Sequence, residues 1–153
     1  MIKINFVCWG NICRSPMAEF VMKNLVEQAG LSEKFFVASS GCHAAVGTPI
    51  HDGTCRELVK HDVPFQFRTS KQFSRTDYKN FDYIIGMDKG NVRDLKNISG
   101  GDPDKKIYLM MSFAGENRDV DDPYMTDDYA TTYKDIIRGC SKFLEFLKSE
   151  QNI

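Results

Sequence analysis

The sequence lacks three features that would direct it to particular partners: a basic excess, a long apolar run and a signal-peptide pattern. Its 20 Lys and Arg residues are balanced by 21 Asp and Glu residues, giving a formal net charge of −1. Without a basic surplus, binding to a nucleic-acid backbone is not expected. No stretch approaches the about 18 consecutive apolar residues that span a bilayer, and Met1 leads directly into a short strand pattern. We therefore expect a cytoplasmic protein that binds neither nucleic acid nor membrane.

Cysteine and histidine are too few and too scattered for a disulfide framework or a metal site. The five cysteines are an odd number, which favours reduced thiols in a chain without an export signal. Cys8 and Cys13 are not followed by a second pair at zinc-ligand spacing, and the three histidines are scattered, so we expect no metal. A length of 153 residues with 42% hydrophobic content suits one domain over residues 1–153 with its own core.

The most informative stretch is residues 7–16, Val-Cys-Trp-Gly-Asn-Ile-Cys-Arg-Ser-Pro. It follows a short apolar strand pattern and precedes a helical pattern that Gly30 ends. Ser15 followed by Pro16 predicts a helix start, with Ser15 as the N-cap and Pro16 in the first helical position. The backbone N–H groups of this loop therefore converge at the positive end of a helix dipole, which predicts an anion-binding site.

Two side chains of this loop predict a reaction centre. Cys8 ends the strand, where the helix dipole and Arg14 favour the thiolate, and a thiolate is a nucleophile. Arg14 follows after five intervening residues, and its planar fork can hold two oxygens of a tetrahedral anion. The spacing of cysteine and arginine alone is weak evidence, whereas the complete stretch is specific. A Walker loop is excluded because the Gly-Lys-Ser/Thr sequence is missing.

The rest of the chain alternates between strand and helix patterns. Strands are predicted at residues 4–7, 35–39, 83–85 and 107–109. Helices are predicted to begin at Ser15-Pro16, at Thr48-Pro49 and after Asp88. The last helix is predicted to begin after Thr126, with Asp127 and Asp128 in its first turn. A surface connection with one short helix is predicted between residues 63 and 81. Four short strands alternating with helices predict a three-layer α/β fold, a parallel sheet with helices on both faces. In such a fold the ligand lies outside the carboxyl ends of the strands, where Cys8 is.

These residues resemble the low-molecular-weight protein tyrosine phosphatase family. The match comprises Cys8 and the run from Gly10 to Glu19, and it departs from the family only at Trp9, where leucine is usual. The resemblance implies the strand order 2-1-3-4, no cofactor, and hydrolysis of phosphotyrosine through a phosphocysteine intermediate on Cys8. It implies phosphotyrosine proteins or small phosphomonoesters as substrates and inorganic phosphate as product. The phosphate-binding loop that it implies consists of Trp9, Gly10, Asn11, Ile12, Cys13, Arg14 and Ser15.

The family places a general acid in an Asp-Pro-aromatic unit before the last helix, and Asp122-Pro123-Tyr124 matches that unit. Proline restricts Asp122 to extended backbone, which presents the carboxyl group. An isolated Asp-Pro is typical of a turn, so the assignment of Asp122 as the acid depends on the cysteine loop. Asp121 is the alternative if the register is shifted by one residue.

The resemblance also implies supporting residues. Asn11, Ser15 and Ser39 are expected to form a hydrogen-bond network that holds the loop. A family histidine expected in this network is absent, and Arg68 lies near its position. Trp9 and Tyr124 are expected to line the substrate cleft, although either ring could pack into its own loop. Cys13 is expected to form a reversible disulfide with Cys8, which makes the enzyme redox-sensitive.

Three alternatives remain open at this level. An arsenate reductase of the related fold needs further cysteines, and residues 81–105 contain none. A phosphocysteine transfer module that does not hydrolyse its intermediate needs neither Arg14 nor an Asp-Pro acid. An inactive phosphotyrosine-binding adaptor would have lost chemical groups that this sequence keeps.

Overall fold

Four parallel strands form the centre of the computed structural model, which describes residues 1–153. They are β1 (Ile2–Cys8), β2 (Phe35–Gly41), β3 (Tyr83–Gly86) and β4 (Ile107–Leu109), in the spatial order β2-β1-β3-β4. The expected parallel sheet with order 2-1-3-4 is confirmed. Because β1 pairs with both β2 and β3, its last residue, Cys8, lies in the middle of the carboxyl edge.

Helices cover both faces of this sheet, as expected. They are α1 (Arg14–Gln28), α2 (Asp52–Lys60), α3 (Arg75–Asn80), α4 (Lys89–Ser99), α5 (Pro123–Thr126) and α6 (Tyr129–Gln151), with short 3₁₀ helices at Ser32–Lys34 and Met110–Ala114. The larger core cluster joins α1 and α6 to one face, and a smaller cluster joins α3 and α4 to the other. None of these helices is long and apolar enough to cross a membrane.

The predicted start of α1 is wrong by two residues. The helix begins at Arg14, Cys13 stands in the N-cap position, and no side chain caps the N-terminus. Ser15 does not cap because its hydroxyl lies 3.0 Å from the Cys8 sulphur and 3.2 Å from the Ser40 carbonyl oxygen. The residue predicted to start the helix therefore contacts the end of the neighbouring strand.

The predicted start of α2 at Thr48-Pro49 is also wrong. Pro49 forms an isolated bridge with Thr69, so the chain is still extended at this point. The helix begins at Asp52, and the Nδ1 atom of His51 accepts the Gly53 N–H at 3.0 Å.

The cap predicted for α6 is wrong as well, whereas the cap predicted for α4 is confirmed. Thr126 ends α5, and Asp127 adopts a left-handed conformation with φ 59°. Asp128 caps α6 by accepting the Thr131 N–H at 3.0 Å. Asp88 caps α4 as predicted, with its carboxylate 2.6 Å from the Asn91 nitrogen.

Candidate active site

The Cys8 side chain lies at the junction of β1 and the loop of residues 9–13. Its sulphur accepts the Asn11 N–H at 3.2 Å and lies 3.0 Å from the Ser15 hydroxyl. Asn11 adopts a left-handed backbone with φ 59°, which turns its N–H towards the sulphur. Cys8 is only 3% exposed. The sulphur is therefore held by hydrogen bonds at the floor of a loop rather than free in solvent.

The Asn11 side chain organises the loop through four hydrogen bonds. Its Oδ1 atom accepts from Arg68 Nη2 at 2.7 Å and from the Lys71 N–H at 3.0 Å. Its Nδ2 atom donates to the Ser15 hydroxyl at 2.8 Å and to the Ser39 hydroxyl at 3.0 Å. These partners fix the orientation of the amide, because two donors face one end and two hydroxyl oxygens face the other. The structure thus brings Asn11, Ser15 and Ser39 together, as the family resemblance implies.

The directions of the remaining hydrogen bonds follow from that amide. Ser39 donates its own hydrogen to Glu19 Oε1 at 2.6 Å, so its oxygen is free to accept from Asn11. Ser15 likewise accepts from Asn11, which leaves its hydrogen for the Cys8 sulphur or the neighbouring Ser40 carbonyl. A negatively charged sulphur attracts this hydrogen more strongly than a neutral carbonyl does. The network therefore leaves the Ser15 hydroxyl able to donate to a Cys8 thiolate.

Arg68 and Glu19 complete this network. Arg68 lies near the position where the resemblance suggests a histidine, and its guanidinium donates to Asn11. Its Nε atom lies 3.7 Å from Glu19 Oε1, and both side chains are largely buried. Sequence reasoning identified the position of Arg68 but missed Glu19, which lies in the matched run without any local signal for its contact with Ser39.

Arg14 is buried beside Cys8 at the start of α1. Its Nη1 atom donates to Asp88 Oδ2 at 2.7 Å and to the Val120 carbonyl oxygen at 2.9 Å. Burial alone would lower the pKa of Arg14, but Cys8 and the carboxylates of Asp88 and Asp122 outweigh this effect and raise that pKa. The Nε atom is buried and has no hydrogen-bond partner. A buried cation with an unused donor is suited to bind an anion.

Asp122 faces the same site from the opposite side of the cleft. It caps α5, with Oδ1 accepting the Tyr124 N–H at 3.1 Å, and its Oδ2 atom lies 3.7 Å from Arg14 Nη2. The neighbouring Asp121 is exposed, and its carbonyl accepts a hydrogen bond from the Thr132 hydroxyl. Of the two candidate acids, only Asp122 lines the cleft.

A cleft of about 720 Å³ opens above the loop. Trp9 and Tyr124 stand at its mouth, 57% and 64% exposed, so neither ring is packed into the interior. The Trp9 ring lies 5.1 Å from the ring of His43, whose Nε2 atom is 3.0 Å from Asp94 Oδ2. The residues that line the cleft are Cys8, Trp9, Gly10, Ile12, Cys13, Arg14, His43, Ala44, Ala45, Thr48, Asp122, Tyr124 and Met125.

Cys13 also lines the cleft, and all five cysteines are free thiols. Burial raises the pKa of Cys13 to about 11. Its sulphur lies 3.8 Å from the Tyr129 hydroxyl, which lies 2.9 Å from Nδ1 of His51. No group of three or more His, Cys, Asp or Glu side chains is arranged to hold a metal ion.

Gly41 supports the loop from the adjacent strand and was missed by sequence reasoning. It pairs with Cys8 in the sheet register. A Cβ atom at this position would lie 2.8 Å from the Trp9 carbonyl oxygen and 3.0 Å from the Asn11 nitrogen. Only glycine allows the loop to approach β2 this closely. In the sequence Gly41 shows only that the second strand ends.

A buried thiol held by a backbone N–H, a buried arginine with an unused donor, and a carboxyl group across the cleft define a site for phosphoryl chemistry. Comparison with known proteins supports the same conclusion about the chemistry of the site. The family model described as low molecular weight phosphotyrosine protein phosphatase matches residues 3–152. The chain therefore belongs to this family and is a phosphatase.

Individual relatives span nearly the whole chain. The Staphylococcus aureus (strain MRSA252) low molecular weight protein-tyrosine-phosphatase PtpA is 35% identical, covering 100% of this chain and 98% of the relative. SP-PTP, a low molecular weight protein tyrosine phosphatase from Streptococcus pyogenes, is 43% identical, covering 96% of this chain and 93% of its own, with a TM-score of 0.87. A Drosophila arginine phosphatase is 30% identical, and the match covers 96% of this chain and 98% of the relative, with a TM-score of 0.88.

Proposed function

We propose that this phosphatase hydrolyses phosphotyrosine in proteins through a phosphocysteine on Cys8. The observation that carries the proposal is the position of the Cys8 sulphur, which accepts the Asn11 N–H at the floor of the cleft that Arg14 and Asp122 also line. A nucleophile, an anion-binding cation and an acid therefore meet in one cavity. The reaction needs no cofactor or metal.

In the first step the Cys8 sulphur attacks phosphorus, and the bond between phosphorus and the tyrosyl oxygen breaks. Loop N–H groups and the unused Nε atom of Arg14 hold the equatorial oxygens, where negative charge develops in the transition state. The protonated carboxyl group of Asp122 gives its proton to the leaving oxygen. The products are the free tyrosine side chain and a phosphocysteine.

In the second step water attacks phosphorus, and the bond between phosphorus and sulphur breaks. The Asp122 carboxylate takes a proton from that water, which restores the acid for the next cycle. Cys8 leaves as a thiolate that the Asn11 N–H and the Ser15 hydroxyl stabilise. Inorganic phosphate is the second product.

The walls of the cleft favour an aryl phosphate. Trp9 and Tyr124 offer aromatic faces at the mouth, and Ile12 adds an apolar side chain to the lining. Aromatic rings of this kind stack on a tyrosyl ring, and a deep cleft rewards a long side chain over phosphoserine. Small aryl phosphates should therefore be hydrolysed as well. We further propose that the enzyme works in the cytoplasm, without nucleic acid or membrane as a partner.

We also propose that oxidation of Cys8 leads to a reversible disulfide with Cys13. Both thiols line the same cleft. Peroxide oxidises Cys8 to a sulfenic acid, and the Cys13 sulphur then displaces its hydroxyl group, which forms the S–S bond and releases water. Mass spectrometry after mild peroxide treatment tests this pairing. A sulfonic acid on Cys8 without a disulfide would refute it.

The central test is hydrolysis by the wild type, Cys8→Ser and Asp122→Ala. Cys8→Ser should be inactive, and Asp122→Ala should lose about 10²-fold or more with a poor leaving group such as the tyrosine of a peptide. Asp121→Ala is the matched control, because this neighbouring carboxylate is exposed, and it should behave like the wild type. Equal rates for Asp122→Ala and the wild type would refute the acid role.

The similarity to an arginine phosphatase requires a second comparison of substrates. The same peptide should be offered with phosphotyrosine and with phosphoarginine at one position. Faster hydrolysis of the phosphotyrosine peptide is expected because Ile12, Trp9 and Tyr124 give the cleft an apolar lining, which suits a tyrosyl ring better than a polar guanidine. Preference for phosphoarginine would contradict the proposed substrate but not the phosphocysteine chemistry.

A further inference from the structure

Residues 116–122, which we call the acid segment, carry Asp122 into the cleft without any helix or strand of their own. Two backbone N–H groups of the segment donate to carbonyl oxygens elsewhere in the fold. The Glu116 N–H donates to Met111 at 3.1 Å, and the Val120 N–H donates to Met87 at 2.9 Å. The geometry between these two points must therefore depend on side chains.

Arg118 supplies most of those side-chain contacts. Its Nη1 and Nη2 atoms form a bidentate pair with Asp135 of α6, at 2.9 and 2.8 Å. Its Nε atom donates to Glu116 Oε1 at 2.9 Å, and Nη1 also lies 3.3 Å from the Asp119 carbonyl oxygen. Asp135 and then Glu116 raise the pKa of Arg118. One guanidinium thus joins two points of the acid segment to a long helix.

The contacts that follow Arg118 along the chain reach the reaction centre directly. The Asp119 carboxylate accepts the Lys89 N–H at 2.8 Å. Val120 is fully buried, and its carbonyl oxygen accepts from Arg14 Nη1 at 2.9 Å. Asp122 lies two residues further on. A shift of the segment at Arg118 would therefore move both the carbonyl that orients Arg14 and the carboxyl group of Asp122.

We propose that Arg118 is a positioning residue for catalysis: through its bidentate pair with Asp135 it holds the acid segment so that Asp122 and Arg14 face the substrate together. The proposal rests on the proposed role of Asp122 as general acid. Arginine suits this task because a planar fork fixes direction as well as distance, whereas lysine provides only a point charge.

The test compares kcat/KM for phenyl phosphate, a poor leaving group, with kcat/KM for p-nitrophenyl phosphate, a good one. A misplaced general acid lowers the rate more for the substrate with the poor leaving group, because that leaving group depends more on protonation. Arg118→Gln should lower the ratio of the two values about tenfold, less than Asp122→Ala does, because the acid is displaced rather than removed. Arg118→Lys should restore the ratio only in part. Asp135→Asn tests the same pair from α6 if Arg118→Gln does not fold.

Arg138→Gln is the matched control. Arg138 also pairs with Glu116 and is similarly exposed, but it has no hydrogen bond to Asp119 or Asp135. The ratio of kcat/KM for phenyl phosphate to kcat/KM for p-nitrophenyl phosphate should be the same in Arg138→Gln as in the wild type. Melting curves should show that all variants are folded.

The outcomes separate this proposal from the proposed function. If Asp122→Ala changes the leaving-group ratio but Arg118→Gln and Asp135→Asn do not, the positioning role is wrong and the acid role stands. A uniform loss on both substrates with an unchanged ratio also overturns the positioning of Asp122, because a displaced Arg14 or a weakened fold lowers both rates equally. If Asp122→Ala leaves the ratio unchanged, the acid role itself is wrong.

Discussion

Replacement of Gly41 by alanine tests whether the close approach of β2 holds the loop of residues 9–13 in the geometry that the proposed reaction requires. The new methyl group would lie 2.8 Å from the Trp9 carbonyl oxygen and 3.0 Å from the Asn11 nitrogen. Both are backbone atoms, so they cannot rotate away. The Trp9 carbonyl is further fixed because it accepts the His43 N–H at 2.8 Å.

The expected magnitudes follow from these distances. An ordinary contact requires the loop to move by roughly half an ångström. A displacement of about 1 Å can cost 10²-fold in rate, so about tenfold is expected in kcat/KM. Overpacking of this kind destabilises by about 1–3 kcal/mol, which lowers the melting temperature of a chain of this length by roughly 3–10 °C.

The assay measures kcat and KM with an aryl phosphate, inhibition by inorganic phosphate, and thermal melting. Gly10→Ala is the control for melting. It lies in the same loop, but its Cβ would meet only the Ile12 side chain, at 3.9 Å, so its melting temperature should change by less than about 2 °C. A Gly41→Ala enzyme with wild-type kcat/KM and wild-type melting would show that the loop does not depend on this contact.

Two further predictions concern residues around the loop. Arg68→Leu removes the 2.7 Å hydrogen bond to Asn11 and the ion pair with Glu19. In a folded protein kcat should therefore fall about tenfold. A wild-type kcat would contradict the role of Arg68 in holding Asn11. Burial raises the pKa of Cys13 to about 11. Iodoacetamide labelling of Cys13 in Cys8→Ser should therefore have a higher pH midpoint in the folded protein than in urea, and equal midpoints would contradict the effect of burial.

The strands and the parallel α/β fold are predictable from the sequence because they follow from local apolar patterns. The helix starts are less predictable. Ser15, Thr48 and Thr126 all precede helical patterns, yet their hydroxyls have other partners. The Ser15 hydroxyl lies 3.0 Å from the Cys8 sulphur, the Thr48 hydroxyl donates to the Ala45 carbonyl at 2.6 Å, and the Thr126 hydroxyl accepts the Asp128 N–H at 3.1 Å. A capping residue caps only when no other partner takes its hydroxyl.

The same distinction separates the predictable part of the site from the rest. Cys8 and Arg14 lie in one contiguous motif, and Asp122 lies in a short unit with proline, so the sequence indicates them. Gly41 and Arg118 act through contacts with residues that are distant in sequence or belong to other elements. Such contacts leave no local pattern, and only the structure reveals them.

Arg68 shows that the hydrogen-bond network around Asn11 requires an N–H donor at this position rather than one particular side chain. Asn11 Oδ1 needs a donor to hold the amide in one orientation, and a guanidinium serves as well as an imidazole because both present N–H groups. The guanidinium brings a permanent charge into a largely buried place, and Glu19 balances it while accepting the hydrogen of Ser39. A histidine here could lose its charge in the physiological pH range, whereas arginine cannot. The orientation of Asn11, and with it the contact between the Ser15 hydroxyl and the Cys8 sulphur, is therefore independent of a titrating side chain at this position.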